Sequence, residues 1–322
     1  VVRPQFDGLV GQATAVALLC RAIDQQRVAP AYLLAGPHGV GRRLGAERFT
    51  EILLAHDGAD SPPALRRRIV QRNHPDLLWV EPTYLHQGKL IGAAQAAEEG
   101  LARKSPPQTR LEQVRQIAQF LSRPPLEASR AVVVIEAAET MAEGAANGLL
   151  KTLEEPGHAT ILLIAPGPQA LLLTLVSRCQ TIPFQRLNAT DLATVLHRVG
   201  HPEVLQQPQL LAMAQGSPGA AIAAYQQLQT IPPELLSALH QPPHSLREAL
   251  EQGRQVAKAL DTESQLWLLD YLLNWYWQSD PIRSAQWLPG LEAAKGYLRR
   301  FVQPRLVWEV MMMGLWEAQK HS

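Results

Sequence analysis

A glycine-rich segment, Gly36-Pro37-His38-Gly39-Val40-Gly41-Arg42-Arg43, leaves this chain few folds to choose from. It sits between a short apolar run at 32–35 and a helical pattern at 43–54. Strand, glycine turn and helix in that order are the setting of phosphate-binding loops of the GxxxxGK[ST] type. Glycines let the backbone curl so that several N–H groups point inward, and the helix N-terminus adds partial positive charge. Gly36 and Gly41 have the required spacing, with Gly39 between them. The last two positions depart from the pattern. Arg42 replaces the lysine with a bulkier planar fork, and Arg43 replaces the hydroxyl that would hold Mg²⁺. The favoured reading is a vestigial nucleotide loop. An ordinary glycine turn is the plain alternative, and an active loop fits worst.

The rest of the first half supplies a sheet for such a loop. Residues 131–135 form a continuous β-branched run, as expected of a strand buried on both faces. Shorter strand patterns fall at 77–80, 160–164 and 181–184. Helical spacing marks 11–27 (Val16, Leu19, Cys20, Ile23), 110–121 and 141–155, the last stopped at Pro156. Strands alternating with helices predict an α/β architecture, a parallel sheet with helices on both faces. After Phe184 the strand pattern ends. Residues 188–228 read as a small group of helices with a turn at Gly216-Ser217-Pro218-Gly219. Residues 231–243 read as a Pro-rich linker, and 245–319 as helix rich in Leu and Trp. A length of 322 residues suits three domains, at 1–186, 187–230 and 231–322. The Ala- and Glu-rich stretch 87–104 has no assignment.

The strand at 131–135 tests the loop's chemistry, because it runs into Glu136-Ala137-Ala138-Glu139. In phosphate-loop ATPases such a strand ends in an acidic residue that holds Mg²⁺, a position Glu136 fits. Ala137 falls where AAA+ ATPases carry the glutamate that activates water, so the acidic pair is degenerate and no side chain there polarises the nucleophile. Glu139 is expected to point away. Hydrolysis by this chain is therefore not expected, on grounds of residue chemistry alone.

Composition narrows the remaining classes. The two cysteines, Cys20 and Cys179, form no CxxC pair, so zinc is not expected and free thiols are. A net charge of +1 excludes a protein that is basic overall, and any DNA contact would be local. The apolar segment 267–277 is broken by Asp270 and Asn274, far short of a membrane span. The sequence does not open on a basic stretch followed by an apolar run, which favours a cytoplasmic protein.

Asn147-Gly148-Leu149-Leu150-Lys151-Thr152-Leu153-Glu154-Glu155-Pro156 and, further on, Ser177-Arg178-Cys179-Gln180 resemble two motifs of bacterial AAA+ clamp loaders. With His74-Pro75-Asp76, the helix start at 110–115 and the turn at 216–219, the resemblance is to the delta-prime family of DNA polymerase III. It is densest over 6–225. The resemblance implies an AAA+ P-loop domain at 1–186, a helical lid at 187–230 and a C-terminal collar at 231–322. It implies partnership with tau/gamma and delta subunits, and with the sliding clamp and primed DNA through the complex. No membrane partner is implied. It also implies that the arginine of Ser177-Arg178-Cys179 reaches a neighbour's ATP in trans, where a guanidinium offsets charge at the γ-phosphate. Without the resemblance, Arg178 reads as a helix cap or a carboxylate's partner. Further departures favour delta-prime over a motor subunit: Ala165-Pro166 and Gly219 stand where sensor residues would. No cysteine occurs in 55–73, where many relatives carry a zinc module. The alternatives are an active motor subunit or a purely structural scaffold; an unrelated phosphate-loop kinase explains neither motif. Trp267, Trp275, Trp277 and Trp308 are expected to pack in the core or the collar interface. Arg103, Lys104 and Arg110 are expected on a solvated surface.

Overall fold

The computed structural model describes residues 4–55, 62–92, 95–96, 106–155 and 157–320. The chain divides into two compact units, Val1–Asp191 and Leu192–Ser322.

The first unit begins with α1 (Ala13–Asp24), β1 (Ala31–Ala35) and α2 (Arg42–Leu54), followed by α3 (Pro62–Val70) and β2 (Leu77–Val80). A hairpin of β3 (Thr83–His86) and β4 (Lys89–Gly92) comes next, then α4 (Leu111–Leu121) and β5 (Ala131–Ile135). It ends with α5 (Glu143–Glu154), β6 (Ala159–Ala165), α6 (Leu173–Val176) and β7 (Gln180–Pro183). Among the described residues the main sheet has five strands, ordered β2-β5-β6-β1-β7 with every pair parallel.

Every residue of β1, β5 and β6 is buried, so each strand feeds alternate side chains to opposite faces. Tyr32, Leu34, Val132, Val134, Leu162 and Ile164 pack with residues of α1, α2 and α3. Leu33, Val133, Ile135, Ile161 and Leu163 pack with residues of α4, α5 and α6. The result is a three-layer α/β/α sandwich, as the alternating pattern predicts. The hairpin's turn and its second strand, β4, lie in the stretch 87–104 that sequence left unassigned, and residues 93–94 and 97–104 of that stretch lie outside the described residues, Arg103 and Lys104 with them.

The second unit is helical. The boundary falls within α7 (Ala189–Arg198), which is followed by α8 (Pro208–Ala214), α9 (Pro218–Gln229) and α10 (Pro233–Leu239). Then come α11 (Leu246–Ala259), α12 (Thr262–Ser279), α13 (Pro281–Ser284), α14 (Leu288–Arg299) and α15 (Pro304–Lys320).

Residues 231–243, expected as a linker, hold α10 and three core residues, Ile231, Leu235 and Leu239. The prolines misled. Pro233 opens the helix, where a missing N–H costs nothing. The Tyr276 hydroxyl donates to the Leu239 carbonyl at 2.6 Å and Gln252 Nε2 to that of Ala238 at 3.1 Å, tying α10 to α12 and α11. Leu210 of α8 and Ala224 of α9 share one core with Leu268, Leu291 and Met312, so no break in packing marks residue 230. Trp308 is fully buried and its indole donates to Gln265 Oε1 at 2.9 Å. Trp267 and Trp275 are half-buried and stack on Tyr271, whereas Trp277 stays exposed.

Candidate functional site

The glycine loop leaves the C-terminal end of β1, and its path is set by close approach. The Gly36 N–H donates to the Ala165 carbonyl at 3.3 Å, and a Cβ at Gly36 would lie 2.3 Å from the Phe184 carbonyl oxygen. Only glycine fits. The loop then turns through Gly41 at φ +103°, the N-cap of α2, a conformation that side chains with a Cβ adopt only with strain. A cavity of about 400 Å³ opens here, lined by His38, Gly39, Gly41, Arg42, Arg43, Glu136, Ala137, Glu139 and Ile164. The loop, the end of β5 and the end of β6 meet around it.

The two arginines take different positions. Arg42 is buried, and its Nη1 has no hydrogen-bond partner. Burial pulls its pKa below the usual arginine value, against the opposing pull of Glu139 and Glu136. Arg43 is half-exposed and lies 3.3 Å from Glu136, 3.3 Å from Glu47 and 4.0 Å from Glu81. A guanidinium thus sits on the Glu136 carboxylate at the end of β5.

Glu136 is further held by the Trp79 indole N–H at 2.8 Å, and the guanidiniums of Arg43 and Arg72 lie 5.7 Å and 5.4 Å from the Trp79 ring centroid. Arg72 also pairs with Glu81, a bond that holds that carboxyl below its usual range, with Arg43 adding to the effect. Ala137 carries no carboxylate and adopts a left-handed conformation, φ +44°, its carbonyl accepting from both N–H and Oγ1 of Thr140. Glu139, expected to point away, instead lines the cavity, because the short 3-10 helix Ala138–Thr140 turns the chain back over it.

Sequence reasoning missed Arg72, Trp79 and Glu81. A parity argument could have found Trp79: it pairs in register with Val134, which shares a sheet face with Glu136 two residues on.

Arg178 lies elsewhere, just past α6. Its Nη2 donates to Glu154 Oε1 at 2.7 Å and its Nη1 to the Thr174 carbonyl at 3.0 Å, with about a third of the side chain exposed. Both partners fit the plainer expectation for an isolated arginine, a carboxylate and a helix carbonyl. Ser177 Oγ also donates to the Thr174 carbonyl, at 3.0 Å. Cys179 packs partly buried beside the α5 face of the sheet, and burial pushes its thiol up to about 11. It acts as a small apolar anchor. Both cysteines are free. Among the described residues no group of three or more His, Cys, Asp or Glu side chains could hold a metal ion, and no helix is long and apolar enough to cross a membrane.

The sheet order, the loop at the end of β1 and the acidic turn at the end of β5 define an AAA+ P-loop fold with a helical unit after it. The crystal structure of a DNA polymerase III gamma subunit-related protein from Thermotoga maritima shares this fold, with a TM-score of 0.56 at 16% identity, covering 95% of this chain and 99% of that one. The chain belongs to the DNA polymerase III delta-prime family. The family described as DNA polymerase III, delta subunit matches residues 11–188, and the one described as cyanobacterial DNA polymerase III delta prime, C-terminal domain, matches 190–315.

Relatives include DNA polymerase III subunit delta' of Bacillus subtilis, 34% identical over 180 residues, 55% of this chain and 48% of that protein. The delta' subunit of Pseudomonas aeruginosa is 34% identical over 197 residues, 59% and 54% respectively. The tau subunit of Bacillus subtilis is 27% identical over 212 residues. The chain spans about half the length of the delta' relatives it matches.

Proposed function

We propose that this chain is a non-hydrolysing, stator-like subunit of a DNA polymerase III clamp loader that supplies Arg178 in trans to a neighbouring motor subunit's ATP. The observation that carries the first half is the Arg43–Glu136 pair at 3.3 Å. A built-in cation on that carboxylate competes with Mg²⁺, and Ala137 offers no base for water. The exposure of Arg178 beyond α6 supports the second half. Membership of the delta-prime family supports tau/gamma and delta subunits as partners, with the sliding clamp and primed DNA reached through the complex, in the cytoplasm.

A lid at 187–230 and a collar at 231–322 remain the functional division we propose for the helical unit. The collar reading is supported by an apolar groove of about 580 Å³ between α14 and α15, lined by Ala294, Tyr297, Leu306, Val310 and Met311 among others. No cofactor is assigned to the chain, zinc included.

The test is ATP turnover by the isolated chain and by the reconstituted loader. The isolated chain should show none, and appreciable turnover would make it a motor subunit. Arg178→Ala should lower turnover at the ATP site it serves by about 1000-fold or more, and the clamp- and DNA-stimulated turnover of the loader with it. The Glu154–Arg178 pair favours a second reading, a scaffold in which Arg178 only braces α5. Under that reading the same substitution leaves turnover unchanged.

A further inference from the structure

Arg178 is held at two points by two different elements, Glu154 on α5 and Thr174 on α6. Glu154 is the last residue of its helix, where a carboxylate faces the negative end of the helix dipole. Helix stability alone gives no reason for an acidic residue there, whereas Lys151 in the same last turn has the favourable sign. The Thr174 bond satisfies a carbonyl in a helix of only four residues. Two anchors fix the plane of the guanidinium as one cannot, and arginine has more N–H donors than these two bonds use.

We infer that Glu154 is a positioning residue for Arg178, holding the guanidinium as a preformed fork whose remaining N–H groups face an incoming phosphate. This rests on the trans-arginine reading given above and adds to it where the orientation comes from. A long side chain ordered only at docking would lose its rotamer freedom at that moment, and one already ordered in the separate chain does not. The pair is solvent-exposed and so contributes little to folding stability, which makes Glu154 testable without unfolding the chain.

The experiment uses the reconstituted loader with clamp and primed DNA, and measures kcat and KM for ATP with Glu154→Ala, Glu154→Gln, Arg178→Ala and the Glu154→Ala/Arg178→Ala pair. Glu154→Ala should lower kcat about three- to ten-fold while KM stays within about two-fold, because orientation rather than ground-state binding is lost. Glu154→Gln should recover part of the loss, since its amide oxygen still accepts. Glu154→Ala should have no further effect once Arg178 is alanine. An unchanged or raised kcat in Glu154→Ala, while Arg178→Ala is impaired, overturns the positioning role and leaves the trans arginine standing. A loss in Glu154→Ala that adds fully to that of Arg178→Ala also overturns it, as the mark of a merely structural residue. If Arg178→Ala is itself without effect, the trans reading fails, and the positioning role with it.

Discussion

Asp76 shows how a single carboxylate can carry a motif without touching a ligand. It is buried and accepts backbone N–H bonds from Leu126 at 2.6 Å, Glu127 at 2.8 Å and Ala128 at 2.7 Å. Burial raises its pKa, but those three bonds together with nearby His74 outweigh that and hold the carboxyl below the usual range. The segment that joins α4 to β5 is therefore pinned by one side chain from the start of β2. We expect Asp76→Ala to destabilise the first unit by about 2–3 kcal/mol, read from urea unfolding, because it removes three hydrogen bonds to one buried carboxylate. The pH dependence has a definite sign. A carboxyl depressed in the folded chain contributes stability above its unfolded value of about 3.9, and that contribution is lost as pH falls through the lower folded value. The wild-type chain should lose stability on acidification in that window, and Asp76→Ala should lose less.

At the scale of elements, the loop between β1 and α2 is the instructive case. Its backbone keeps the tight glycine turn at Gly36 and Gly41, and Arg43 at the start of α2 pairs with Glu136. Arg42→Lys together with Arg43→Thr would remove the guanidinium from Glu136 and restore a hydroxyl at the start of α2. We expect that pair of changes to produce Mg²⁺-dependent ATP binding measurable by calorimetry, with no turnover, because Ala137 is untouched. Binding that does not depend on Mg²⁺ would show that the Arg43–Glu136 pair does not stand in the ion's place.

Much of this was legible in advance. β5 begins and ends where the β-branched run does, since a strand buried on both faces leaves a contiguous apolar signature, and β2 matches the short apolar run at 77–80. The loop's departures at Arg42, Arg43 and Ala137 were equally plain. What sequence could not supply were contacts that depend on the folded path. Glu139 reaches the cavity through a 3-10 turn, Arg72 meets Trp79 and Glu81 across the end of β2, and the hairpin β3–β4 is half-exposed with little apolar alternation. The prolines at 232 and 233 read as a break because their effect reverses between the interior of a helix and its first turn.

For the whole molecule, the first unit bears the nucleotide-fold elements and the second bears the apolar groove. Val310 is 54% exposed on α15 and lines that groove. Val310→Asp should leave the isolated chain's unfolding midpoint within the range of an ordinary surface change, about 0.5 kcal/mol. It should abolish co-elution with tau/gamma and delta subunits. Retained co-elution would place the assembly surface elsewhere. The ion pair at the loop has a consequence on this scale too. On the non-hydrolysing reading proposed above, the Arg43–Glu136 pair would leave this chain without an internal clock, its loop insensitive to whether ATP is present, spent or exchanged. Any rhythm in an assembly that contains it would then be set by its neighbours.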